Sequence, residues 1–342
     1  MARTQRNGAA LLTLLLALCL LGGCAATPAE ESTRFYDYDP ESGLLTGTLD
    51  HTVRPLALRA VVTPPEQTAY PTVIVKPPVL SDQEEAHWIQ AFFGDSADQA
   101  EVAGQSPHVD DSDVFHCFAT PDGQNFGYDE RDGRLHYFNI DFPLNMELDL
   151  KQYTVQEEPD AQMVADAQDT AAALLEELGL TEFVLESTEV LALESGPVCY
   201  ALLYSHEIAG LPTTYDSYPI PGTYQYYNGD SLYIVVFDGA VVYLTGYIRD
   251  VVEVEEPREI IGLEAALGAL EQNSAYISLT TDVDIPIENI SLRYAPALTP
   301  LEEGTGTYRL YPAWHFGPKY ANMYCTGQNL LDINAYDGSV LG

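Results

Sequence analysis

The densest gathering of metal-binding side chains in the sequence is His108-Val-Asp110-Asp111-Ser-Asp113-Val-Phe-His116-Cys117. Carboxylates at alternate positions can converge on a hard cation such as Ca²⁺, while His and Cys suit Zn²⁺. His108, Asp111, Asp113 and His116 are therefore the candidate metal ligands. An EF-hand register fails: counted from Asp111, His116 stands where the loop needs Gly, and Asp122 where it needs Glu. With 52 Asp and Glu in the chain, a solvated acidic loop ahead of a strand looks much the same. Other constellations lack a required member. His206-Glu207 opens like a zinc-protease helix motif, but Gly210 takes the place of the second His. G-x-S-x-G, Walker A, G-x-G-x-x-G and C-x-x-C do not occur, which removes the nucleophile elbow, the usual phosphate cradles and thioredoxin-like redox chemistry. No catalytic residue and no cofactor are assigned.

Aromatic residues offer a second kind of site. Of 23 Tyr, five (Tyr215, Tyr218, Tyr224, Tyr226 and Tyr227) crowd around Pro219 and Pro221. Surface Tyr gives large contact area at modest entropic cost, so this segment is the candidate platform for a sugar or peptide. The alternative is that these Tyr occupy strand positions, where aromatic residues pack well. Trp88 and Trp314 read as core anchors.

The net charge of −38, from 14 Lys and Arg against the 52 acids, repels phosphate backbones and excludes nucleic acid as a partner. Arg3 and Arg6 precede an apolar run, Ala9–Leu21, that is too short for a bilayer core needing about 20 residues. It ends in Leu21-Gly22-Gly23-Cys24, which resembles a bacterial lipobox. That resemblance implies a signal peptide over 1–23, cleavage between Gly23 and Cys24, and a diacylglyceryl (palmitate-type) anchor on Cys24. Two acyl chains hold a protein stably on a membrane. The expected location is the outer face of the cytoplasmic membrane of a Gram-positive host, with 24–40 as a flexible tether. Cys117, Cys199 and Cys325 remain after Cys19 and Cys24 are accounted for. They read as buried thiols, or as at most one bridge plus one thiol.

Three helices must position whatever the chain binds. The first is capped by Ser81-x-x-Glu84 and presents Trp88, Ile89, Phe92 and Phe93 before Gly94. The second starts near Asp160, with Val164, Ala167, Ala171, Leu174, Leu175 and Leu178 at helical spacing before Gly179. The third spans Glu259–Gln272. Between them, Asp122-Gly123, Asp132-Gly133, Asn228-Gly229, Asp238-Gly239 and Asp337-Gly338 suit tight hairpin turns. The spacing predicts an α+β protein of two or three units, each a helix on a small antiparallel sheet: 41–155, 156–256 and 257–342.

The last unit contains Ile290-Ser-Leu-Arg-Tyr-Ala-Pro-Ala-Leu298, Tyr308-Arg-Leu-Tyr-Pro-Ala-Trp-His-Phe316 and Leu331-Asp-Ile-Asn-Ala-Tyr-Asp-Gly-Ser-Val-Leu341. These strands resemble the YycI/YycH-like and PepSY-like extracytoplasmic modules of Gram-positive bacteria, and lipoproteins of the clostridial type. The resemblance implies a membrane-anchored accessory protein that binds a sensor kinase or a peptidase and contributes no catalytic residues. The expectation is thus a non-catalytic lipoprotein that binds or regulates an envelope partner protein. A solute- or glycan-binding lipoprotein is the alternative, and an envelope hydrolase with carboxylates paired only in space is a third.

Overall fold

A computed structural model describes residues 36–49, 55–103, 115–139, 154–155, 160–192, 198–222, 226–274, 287–297, 300–301, 305–317 and 332–341. Helix α1 (Asp82–Phe93) starts where its capping box predicts. Ser81 Oγ accepts from the Glu84 amide at 3.3 Å, and Glu84 Oε2 accepts from the Ser81 amide at 2.8 Å. Helix α2 (Ala161–Glu177) begins at Asp160, whose carboxylate accepts from the Gln162 amide at 2.9 Å. Helix α3 (Leu263–Gln272) is shorter than expected at its start, because Arg258–Glu259 pairs as a strand with Ala69–Tyr70. Among the described residues, no helix is long and apolar enough to cross a membrane.

The expectation of small sheets under separate helices is overturned. The protein is strand-dominated, with two large sheets of ten and nine strands. The ten-stranded sheet runs in spatial order Thr154–Val155, Phe183–Ala192, Val198–Ile208, Ser231–Phe237, Ala240–Tyr247, Arg134–Asn139, Gln124–Asp129, Phe115–Ala119, Glu101–Val102, with Leu211–Pro212 beside Val198–Ile208. Helices α1 and α2 bury their apolar faces on it. The ring of Phe92 lies 4.9 Å from those of both Phe126 and Tyr137, and Ala167, Ala171 and Leu175 join the same core as Leu202 and Ile234.

The nine-stranded sheet runs Tyr36–Asp39, Leu44–Leu49, Leu56–Val62, Ile287–Pro296, Tyr308–Gly317, Asp332–Asn334, Val340–Leu341. Val73–Lys76 bonds to both Tyr308–Gly317 and Asp250–Val254. Ala266, Leu267 and Leu270 of α3 pack into its core, and Trp314 Nε1 donates to the Ile261 carbonyl at 3.0 Å. Residues of the expected unit 41–155 thus divide between the sheets, and strands from 41–155 and 156–256 pair directly, Phe138 opposite Tyr243. The cause lies in the edges. A hairpin ends in a row of unpaired backbone donors and acceptors, and a neighbouring hairpin satisfies them better than water at a buried edge.

Candidate functional site

A cleft of ≈ 1020 Å³ lies between α1, the end of α2, the end of strand Val198–Ile208 and the segment Ile248–Val251. Its apolar floor includes Trp88, Phe183, Ile208 and Ile248. Two hydrogen bonds pin α1 against the end of α2: Trp88 Nε1 donates to the Leu178 carbonyl at 3.2 Å, and His87 Nε2 to the Glu177 carbonyl at 2.6 Å. The rim carries six acids, Glu84, Glu176, Glu177, Glu182, Glu207 and Asp250, all exposed. The C-terminal end of α2 adds its partial negative charge at the same place. Partial burial holds the Asp250 carboxyl above the usual carboxylate range; Glu84 and Glu182 push the same way, against the pull of His206.

Among the described residues Arg249 is the one Lys or Arg lining the cleft, and it is already committed. Its Nη1 donates to Asp230 Oδ1 and, at 3.0 Å, to the Asn228 carbonyl; Nη2 donates to the Asp132 carbonyl at 2.9 Å. The guanidinium also lies 4.6 Å from the centre of the Tyr227 ring. His206 stacks on Phe183 at 5.0 Å, and burial holds its pKa below the ordinary imidazole value despite Asp230 nearby. The cleft therefore presents carboxylates to solvent with its guanidinium neutralised from within.

A second polar cluster is buried where the two sheets meet. His315 comes from strand Tyr308–Gly317, Asp332 stands opposite it on Asp332–Asn334, and Asp216 comes from the loop after Leu211–Pro212. All three are buried, at 3%, 2% and 5% exposure. His315 Nδ1 lies 2.8 Å from Asp332 Oδ1 and 3.7 Å from Asp216 Oδ2, and Nε2 lies 3.3 Å from the Tyr215 hydroxyl. The Tyr218 hydroxyl donates to Asp332 Oδ2, and the Asp216 amide donates to Thr214 Oγ1 at 3.2 Å. Burial, helped by the charge of Asp332, pushes the Asp216 carboxyl up to about 6, against the pull of His315. For His315, burial disfavours the charged ring, but Asp332 and Asp216 outweigh it and hold the pKa above the ordinary imidazole value. The three acid and imidazole ligand atoms lie within 4.8 Å of one another.

Of the five candidate tyrosines, three are interior. Tyr215, Tyr218 and Tyr227 are buried at 6%, 2% and 1% exposure: Tyr218 and Tyr227 sit on strands Ser217–Pro219 and Tyr226–Asn228, which fold against the nine-stranded core, while Tyr215 packs on Leu203. Tyr226 is exposed, and Tyr224 lies outside the described residues. Of the expected metal ligands, His108, Asp111 and Asp113 lie outside the described residues, as does Cys24. His116 bridges two acids, with Nδ1 against Glu85 and Nε2 3.3 Å from Glu130. Cys117 is a half-buried thiol whose pKa burial raises, Cys199 packs among Leu191, Ala201 and Val235, and Cys325 lies outside the described residues. Asp216, His315 and Asp332 were not singled out by sequence. Their trace is faint: His315 in Trp-His-Phe and Asp332 in Leu-Asp-Ile are polar residues set inside apolar strands.

No family model matches the chain, and no curated protein does. Among solved structures, an uncharacterized protein from Eubacterium rectale ATCC 33656 is similar at a TM-score of 0.60 and 15% identity, over 84% of this chain and 90% of that one. That likeness shows the fold. The Bacillus megaterium YpeB C-terminal domain aligns at 13% identity over 78% of this chain and 97% of that one, with a TM-score of 0.32, too low to argue from.

Proposed function

We propose that the protein is a lipid-anchored binding protein on the outer face of the cytoplasmic membrane, and that its acidic cleft receives a basic segment of an envelope protein. The observation that carries this reading is the cleft's charge: six exposed carboxylates and a helix C-terminus over an apolar floor, with Arg249 spent on Asp230. A Lys- or Arg-rich segment would gain from the field, while its aliphatic stems cover Trp88 and Ile248. The lipobox at Cys24 supports the anchor, and the sequence resemblance to YycI/YycH-like and PepSY-like modules supports a sensor kinase or peptidase as the partner. The buried tyrosines withdraw the motive for a glycan platform.

Photo-crosslinking of the full-length, lipidated chain in its own cells tests this, with the crosslinker placed on the exposed rim at Glu207. Adduct to one membrane protein should disappear on replacing Glu176, Glu177 and Glu182 by Gln, and should weaken at about 1 M salt, where screening acts within ~3 Å. Labelling with radioactive palmitate should be lost in Cys24→Ala. An adduct indifferent to both rim charge and salt would sink the cleft reading.

A further inference from the structure

We propose that Asp216, His315 and Asp332 form a buried site for one first-row divalent cation, Zn²⁺ being the probe of choice. The ligand atoms lie within 4.8 Å of one another, close enough to converge on a single ion. Bonds of about 2.0–2.2 Å leave ligand atoms roughly 3–4 Å apart; Asp216 Oδ2 is 3.7 Å from His315 Nδ1, and Asp332 Oδ1, hydrogen-bonded to that nitrogen at 2.8 Å, would move out slightly to ligate. One imidazole and two carboxylates are a donor set that such ions accept. The three come from positions about a hundred and about seventeen residues apart along the chain, so local acidity does not explain their meeting.

The surroundings argue for the same ion. A metal-ligating His has its other ring nitrogen fixed by a hydrogen bond, and its carboxylate partners are themselves held. Here Tyr215 contacts His315 Nε2 and Tyr218 holds the far oxygen of Asp332, while Thr214 Oγ1 accepts from the backbone amide of Asp216 and so fixes the main chain that carries the third ligand. Arg293 is a guanidinium whose field reaches Asp216. It lies 4.8 Å from the Tyr215 ring and is engaged bidentately by Glu186. A dication would match the charge of the two buried carboxylates, with His315 ligating through its neutral ring and releasing any proton it holds. The ion would clamp the loop carrying Asp216 to two strands of the nine-stranded sheet. This inference is independent of the acidic cleft.

The full-length chain, purified in detergent, is dialysed against a chelator and titrated with Zn²⁺ by calorimetry, with thermal unfolding followed in parallel. One Zn²⁺ should bind per chain, and Tm should fall on chelation and recover on adding Zn²⁺. Tyr215→Phe, which keeps the ring and deletes the hydroxyl, should weaken binding about 10–100-fold, and Asp332→Asn should abolish it. A folded wild-type chain that binds no stoichiometric Zn²⁺ and shows no Tm shift overturns the proposal, leaving a proton-shared Asp–His–Asp network. Wild-type affinity in a folded Asp332→Asn variant overturns it equally, since the ion then sits elsewhere.

Discussion

Arg293 and Glu186 tie the two sheets together. Arg293 lies on strand Ile287–Pro296 of the nine-stranded sheet and Glu186 on strand Phe183–Ala192 of the ten-stranded sheet. Nη1 and Nη2 donate to the two carboxylate oxygens at 3.1 and 2.8 Å, with the arginine side chain 5% exposed and the glutamate 20%. The same arginine donates to the Thr213 carbonyl at 3.3 Å, beside the bridge between Thr213 and Tyr294. Fork geometry makes this pairing directional as well as attractive.

Glu186→Ala should cost about 3 kcal/mol, because it strands a buried guanidinium instead of merely losing an attraction. Arg309 and Glu255 provide the control: their 3.1 Å pair is more than one-third exposed on both sides, and Glu255→Ala should cost under about 1 kcal/mol. Urea unfolding midpoints measure both. Equal costs would contradict the interior role of the Arg293–Glu186 fork.

Gly229 marks a close backbone approach. A Cβ there would stand 1.8 Å from the Thr214 carbonyl oxygen, so Ala can fit only by displacing the loop that carries Asp216. Gly229→Ala should cost about 3 kcal/mol, at the upper end for overpacking. Gly239 meets nothing within 4 Å and sits at φ +76, so Gly239→Ala should cost only the left-handed conformation, about 1 kcal/mol. Thermal melts that rank the two the other way would show that the Thr214 loop yields freely.

Acid should weaken the fold partly through His136. Burial, helped by the charge of Arg134, holds its pKa down to about 4, against 6.5 for a free imidazole. Between those values the unfolded chain binds the proton and the folded chain does not. His136 therefore withdraws stability as pH falls from about 6.5 toward 4, and withdraws none above 6.5. The ring lies parallel to Phe115 at 6.1 Å, so His136→Phe keeps the packing without the titration. Tm measured from pH 7 to pH 4.5 should drop more steeply in the wild type than in His136→Phe, and parallel curves would remove His136 from the acid response.

Local structure was well written in the sequence. The Ser81–Glu84 box, the Asp160 cap, and Gly94 and Gly179 at positive φ are short-range devices whose partners lie within four residues. Four of the five Gly turns close hairpins, among them Asp238-Gly239 with both φ positive. Asn228-Gly229 does not: it looks like a turn signal, but its glycine serves the contact with Thr214. What stayed hidden is pairing between hairpins. Nothing local tells Leu58 that its partner is Ile287, in a parallel pairing, or Tyr137 that its partner is Leu244. The buried cluster was hidden for the same reason: the pairing of Tyr308–Gly317 with Asp332–Asn334 sets His315 opposite Asp332, but only the tertiary fold brings Asp216, about a hundred residues earlier, to them. The tyrosines misled because β propensity and surface recognition draw on the same residue types.

The path of the chain dictates an order of assembly. The nine-stranded sheet is left at Lys76 and rejoined at Asp250, and those two residues pair directly. Everything in the ten-stranded sheet lies between them in the chain, where most pairings join successive hairpins at modest separation. The pairings Leu58 with Ile287 and Val75 with Tyr308 span more than two hundred residues, and closing such loops from a disordered chain is entropically slow. Once the inner sheet has formed, however, it delivers Lys76 and Asp250 side by side and shortens the effective loop for the outer one. The long-range pairings of the nine-stranded sheet should therefore form late, whereas the local pairing of neighbouring strands already sets His315 opposite Asp332.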